Sequence, residues 1–231
     1  MTIRAWLFDL DGTLLSSVER FHAAYCSALS AFGHAEVDEP GFLARYRSGE
    51  LVTSLELPPE AADRFWRRLM ETFVSRRDLA SPLPGAAAAL AQLAERGDAV
   101  ALVTGRACSE DALRTELQEH GLDAYFAALA TLGEPSRLRL NAGGAITKTD
   151  LFSRTCADLG VDPGVAALVT DWPAELEQGL EFGFALCVGV LTGGYRRRDF
   201  RSDPRVRTVA DLTEFPALLA SLDDAPAKVS A

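Results

Sequence analysis

The segment Trp6-Leu-Phe-Asp-Leu-Asp-Gly-Thr-Leu-Leu15 runs apolar residues into two carboxylates, Asp9 and Asp11, and then turns at Gly12. Two acids two positions apart repel one another unless a cation lies between or beside them. Two later segments share the pattern of an apolar run that ends in polar residues. They are Leu102-Val-Thr-Gly-Arg106 and Leu168-Val-Thr-Asp-Trp172. Between them lies Lys148, one of only two lysines in a chain that otherwise uses arginine. A bias that strong makes a retained lysine a candidate for a specific task.

Brought together, these residues suit one kind of chemistry. Asp9 and Asp171 are hard oxygen ligands of the kind Mg²⁺ takes, often together with substrate phosphate. The ion and Lys148 would offset the charge of a phosphoryl group. Thr104 and nearby amides would hold its oxygens, and Gly12 lets the backbone turn close to it. A carboxylate can attack phosphorus and form an aspartyl-phosphate. A second acid two residues on can protonate the leaving oxygen and then activate water.

The elements that would position them follow from the hydrophobic pattern. Ile3 to Phe8 is short and, Arg4 apart, apolar, as a buried parallel strand should be. From about Ser17 to Ser81 the pattern is helical: Phe21, Tyr25, Leu29 and Phe32 recur near helical spacing up to Gly33. A second run starts at Phe42 and breaks near Ser48-Gly49. A third follows Pro58-Pro59, over Glu60 to Val74. After Leu83-Pro84-Gly85 helices and strands alternate. Helices are expected over Ala86–Arg96, from a Ser109 cap to Gly121, and from a Thr149 cap to Gly160. Two more run from Pro173 to about Gly183 and from Phe215 to Leu222. Strands are expected over Ala99–Val103, Val165–Val169, Ala185–Val190 and Arg207–Val209.

This alternation predicts an α/β fold, a doubly wound and mostly parallel sheet with a helical domain inserted after the first strand. The expected domains are a core of residues 1–15 and 84–222, a helical cap of residues 16–83, and a disordered tail of residues 223–231. In such sheets ligands bind beyond the carboxyl ends of the strands, where the three acid- and threonine-bearing segments would end.

With those motifs in order, the chain resembles the haloacid dehalogenase-like superfamily, in its phosphatase branch with a helical cap. Asp9-x-Asp11-Gly12-Thr13 matches the first motif, Val103-Thr104-Gly105 the second, Lys148 the third, and Asp171 with Glu175 the fourth. The resemblance implies that Asp9 is the nucleophile and Asp11 the acid and base. It implies that Thr104 and Lys148 bind phosphate, and that Asp9, the Asp11 carbonyl and Asp171 hold Mg²⁺. We add Glu175 to the metal set, and Gly12, Thr13, Gly105, Arg106 and, in the helical segment, Arg47 to the substrate contacts. The chain departs from the family pattern in the fourth motif, where Thr170 and Trp172 flank Asp171 and the later acid is Glu175 rather than aspartate.

The resemblance implies a Mg²⁺-dependent phosphatase acting on a small phosphorylated metabolite. Asp11 argues against the dehalogenases, and the absence of lysine from residues 16–83 argues against the phosphonate-cleaving members. Two alternatives stay open: a degenerate member that binds a phosphorylated ligand or partner without turnover, and a sugar phosphomutase. A net charge of −10 with no basic patch running along the chain makes nucleic acid an unsuitable partner. Four scattered cysteines are expected to be reduced and packed as small hydrophobes. With no apolar leader or membrane span in the sequence, a cytoplasmic monomer or homodimer is expected.

Overall fold

The computed structural model describes residues 2–133 and 148–223. The strands are β1 (Ala5–Phe8), β2 (Ala99–Val103), β3 (Ala128–Ala130), β4 (Ala166–Thr170), β5 (Leu186–Val190) and β6 (Val206–Val209). The helices are α1 (Val18–Ala31), α2 (Glu39–Ser48), α3 (Pro59–Ser75), α4 (Ala86–Arg96), α5 (Glu110–Glu119), α6 (Thr149–Leu159), α7 (Pro173–Phe182) and α8 (Phe215–Asp223). The six strands form one parallel sheet in the order β3-β2-β1-β4-β5-β6. The order reverses between β1 and β4, the place where doubly wound sheets open a crevice outside their carboxyl ends.

The α/β expectation and its parallel sheet are what the structure shows. The differences are local. β3 has three residues, too few for a period to stand out, and was not foreseen. Thr149 is not a cap: the N-cap position of α6 is Lys148, whose side chain is used elsewhere. The strands that flank the crevice begin or end within one or two residues of their expected limits.

Alternation along β1 explains how it is buried on both faces. Ala5 and Leu7 join a core with Phe152 and Cys156 of α6 and Leu176 and Leu180 of α7. Trp6 and Phe8 point the other way, where Phe215 of α8 meets them at ring-centroid distances of 5.2 and 5.9 Å. Each such ring contributes about 1.5–3 kcal/mol by leaving water. Central β1 and β4 are therefore held from both sides, which fixes where their ends fall.

By its internal contacts the chain divides into two compact units, one reaching Leu15 and resuming at Pro82, the other Ser16–Ser81. The second is helical. Its core gathers Tyr25, Leu29, Phe42, Phe65, Leu69 and Phe73 from α1, α2 and α3. Arg20 is fully buried there and donates to the Phe73 and Val74 carbonyls at 2.5 and 2.9 Å, satisfying groups that the end of α3 leaves open. The two chain segments at the junction run side by side. Within the first unit the Leu83 amide donates to the Leu14 carbonyl at 2.9 Å, and within the second the Ser16 amide donates to the Ser81 carbonyl at 2.8 Å.

Of the expected tail, Asp223 is helical and pairs with Arg96 at 2.7 Å; the rest lies outside the described residues.

Candidate active site

β1, β2 and β4 are neighbours in parallel register, so the residues just past their ends meet. Asp9 continues β1, its amide donating to the Val169 carbonyl of β4 at 2.9 Å. Thr104 continues β2, and Thr170 and Asp171 close β4. Asp9, Thr104 and Asp171 are all buried. The sheet itself thus delivers three of the expected residues to one edge.

Lys148 joins them from the start of α6. Its Nζ donates to Asp9 Oδ1 at 2.5 Å, Glu175 Oε2 at 2.7 Å and the Val103 carbonyl at 3.2 Å. Three acceptors use all three protons of the ammonium. Its own amide is held by Gln178 Oε1 of α7 at 2.8 Å. Burial works against the charge of Lys148, but Asp9 and Glu175 outweigh it and hold the ammonium above its usual value.

The carboxylates are pushed the other way. Burial raises Asp9, with Lys148 opposing and Asp11 adding. Burial, and then the charges of Asp9 and Glu175, raise Asp171 well above the usual carboxylate range. Burial pushes Glu175 up to about 7, against the pull of Lys148. Three buried carboxyl groups thus share one buried ammonium, so ionising all three together calls for a further cation beside them.

The first loop is tied to the fourth strand. Thr13 is fully buried; its hydroxyl accepts the Asp171 amide proton at 2.9 Å and donates to Asp171 Oδ1 at 3.4 Å. We expected Thr13 to touch substrate, but its hydroxyl is spent on Asp171. Gly12 turns with φ of 80°, and a Cβ on it would fall 2.4 Å from Asp171 Oδ2. Gly193, after β5, is tighter still: a Cβ there would lie 1.5 Å from the same oxygen. The Asp171 carboxylate is cradled by two glycines, and the Thr192 hydroxyl fastens the cradle by donating to the Gly12 carbonyl.

Glu175, expected in the metal set, turns toward Lys148 and Thr170 instead. The Thr170 hydroxyl donates to Glu175 Oε2 at 3.1 Å. The other oxygen, Oε1, is buried with no hydrogen-bond partner. Arg106, expected at the substrate, is buried and forks onto Asp11, with Nε–Oδ2 and Nη2–Oδ1 both 2.7 Å. The Thr104 hydroxyl accepts the Arg106 amide at 3.2 Å, with Gly105 in the turn between. Arg47 is exposed on α2 in the helical unit.

Thr192 and Gly193 complete the arrangement and lie in the segment of residues 188–193, which resembles the family's; Glu116 and Gln178 complete it too and were not singled out from the sequence. Of those two, Glu116 carried a signal: it is an acid beside Leu113 and Leu117, on the buried stripe of α5.

Among the described residues, no group of three or more His, Cys, Asp or Glu side chains is arranged to hold a metal ion. The smaller set that the resemblance implies, the Asp9 and Asp171 carboxylates with the backbone carbonyl of Asp11, is all oxygen, the chemistry that suits Mg²⁺. The crowding of carboxyl groups and the unpartnered Glu175 Oε1 agree with a hydrated cation nearby, since such an ion keeps waters that need acceptors.

The family model described as haloacid dehalogenase-like hydrolase matches residues 3–183. A curated phosphoglycolate phosphatase of Synechococcus elongatus is 25% identical over 198 residues, spanning 85% of this chain and 87% of that protein. A crystal structure described as a predicted phosphatase from Clostridium acetobutylicum superposes with a TM-score of 0.79 at 18% identity, covering 95% of this chain and 100% of the other. A haloacid dehalogenase-like family hydrolase from Streptococcus pneumoniae gives 0.75 at 17%, covering 94% and 98%.

Proposed function

The chain belongs to the haloacid dehalogenase-like hydrolase family, and from that premise we propose that it is a Mg²⁺-dependent phosphatase of a small phosphorylated metabolite. The observation that carries the proposal is the grip of Lys148 on Asp9 beside buried Asp171, at the point where the strand order reverses. The similarity to a phosphoglycolate phosphatase supports a small phosphomonoester as substrate.

In this reading an oxygen of the Asp9 carboxylate attacks phosphorus, and the phosphorus–ester oxygen bond breaks. Asp11 gives a proton to the departing oxygen, so the alcohol leaves neutral. Asp11, now a base, takes a proton from water as that water attacks the aspartyl-phosphate. The bond from phosphorus to Asp9 breaks, phosphate departs, and both carboxylates return to their starting forms. Thr104 holds the phosphoryl oxygens, and the ammonium of Lys148 offsets their charge. Glu175 and Gln178 keep Lys148 aimed at Asp9. Thr13, Gly12 and Gly193 keep Asp171 in place. Mg²⁺, held by Asp9, the Asp11 carbonyl and Asp171, would supply positive charge to the phosphoryl oxygens and orient them for attack.

The helical unit of Ser16–Ser81, inserted directly after the loop that carries Asp11, stands in this reading as the family's cap. The protein would work in the cytoplasm as a monomer or homodimer.

The test is phosphate release from a panel of phosphorylated metabolites with and without Mg²⁺. Asp9→Asn should abolish release while circular dichroism and thermal unfolding stay close to wild type. Retained turnover in that variant would overturn the assignment of the nucleophile.

A further inference from the structure

We propose that Arg106 and Glu116 form a positioning clamp that sets the direction of the Asp11 carboxylate; this rests on the phosphatase reading of the same site. The clamp is a relay of buried charges. Arg106 Nε and Nη2 meet the two Asp11 oxygens at 2.7 Å each, and its Nη1 donates to Glu116 Oε2 at 2.7 Å. The side chains of Arg106 and Glu116 are 3% and 4% exposed, against 23% for Asp11. The relay is therefore closed at the helix end and open at the reactive end.

Each link is directional. A guanidinium that forks onto a carboxylate fixes its plane as well as its distance. Glu116 pulls on the opposite edge of that guanidinium, so the fork cannot turn about its own axis. The base of the Arg106 side chain is pinned as well, because its amide donates to Thr104, the residue expected to hold phosphate. Asp11 is thereby aligned with respect to the phosphoryl site through a continuous set of hydrogen bonds.

The energetics favour positioning over stability. Buried ion pairs repay their desolvation poorly, and apolar replacements of similar size often do as well. The stripe of α5 around Glu116 is otherwise apolar, with Leu113 and Leu117 buried. A leucine at 116 would suit that stripe, yet an acid is present and grips Arg106.

Arg106 is not assigned here to substrate, and the distinction is measurable. A proton donor matters when the leaving group is a poor one, and little when the group leaves readily as an anion. The experiment measures kcat/KM with Mg²⁺ for p-nitrophenyl phosphate and for glycerol phosphate, in wild type, Arg106→Lys and Glu116→Gln. kcat/KM reports only the steps up to loss of the leaving group. Arg106→Lys should lower it on the glycerol ester by about 10- to 100-fold, a share of what general acid catalysis supplies. The aryl ester should change by no more than about 3-fold. Lysine should fail as a substitute because one ammonium does not reproduce the fork. Glu116→Gln, which touches neither Asp11 nor substrate, should shift the ratio the same way by a smaller factor. It also carries the test if Arg106→Lys does not fold.

Equal losses on both esters would overturn the clamp in favour of phosphate binding or a merely structural role. No change on either would overturn it too. A wild type inert toward both esters and the metabolite panel would overturn the phosphatase reading and the clamp with it.

Discussion

The hydroxyl of Thr170 donates to Oε2 of Glu175 at 3.1 Å, on the same oxygen that Lys148 grips at 2.7 Å. Two of the departures from the family's fourth motif are therefore partners. The longer acid at 175 meets a hydroxyl at 170, which lies at the end of β4 and also accepts the Trp172 amide at 3.1 Å. Thr170→Val keeps the shape and removes both bonds. We expect a loss of about 1–3 kcal/mol in urea unfolding, the cost of buried groups left unsatisfied.

Lys148→Met should act more severely. It leaves Asp9 and Glu175 without their counter-charge, and breaking a buried pair from one side costs about 3–5 kcal/mol. Phosphate release should vanish as well. Chemical denaturation with and without saturating Mg²⁺ checks the first point, because the cation should restore part of the loss.

Stability should also depend on pH in a defined direction. Burial lifts Glu175 from the usual 4.5 to about 7 in the folded chain. Between those values the folded protein binds more protons than the unfolded chain, so stability falls as pH rises. Without Mg²⁺, the melting temperature should drop more steeply between pH 5 and about 7 in wild type than in Glu175→Gln, where that proton is absent. Parallel slopes in the two proteins would contradict the raised carboxyl.

Gly193→Ala tests the cradle around Asp171. The added methyl would lie 1.5 Å from Oδ2, so the carboxylate must move. The fold should survive, since the change is confined to one turn after β5. The rise in melting temperature on adding Mg²⁺, which follows affinity for the native state, should shrink, and turnover should fall with it.

What could be read in advance divides along sequence distance. Asp9, Asp11 and Gly12 declare themselves because a buried strand does not end in two acids by chance. The alternation of strands and helices gave the sheet, and Asp171 follows a strand as Asp9 does. β3 was too short to show a period. The supports of the site were hidden for another reason. Glu116 orients Arg106, Gln178 holds the Lys148 amide, and Gly193 makes room for Asp171. Gln178 is an ordinary residue in its own neighbourhood, and the roles of Gln178 and Gly193 exist only once distant parts of the chain have met. Thr13 depends on the same pairing: a hydroxyl beside the acidic loop suits a phosphate, and only the arrival of β4 brings the Asp171 amide within 2.9 Å of it.

The paired backbone at Leu14–Leu83 and Ser16–Ser81 makes the helical block a removable cassette. Its entry and exit are stitched together, so the gap its excision leaves is only a tight turn wide, and closing so short a loop costs little entropy. A different insert of any length, provided its two ends come together, can be spliced at those points while every strand of the sheet keeps its register.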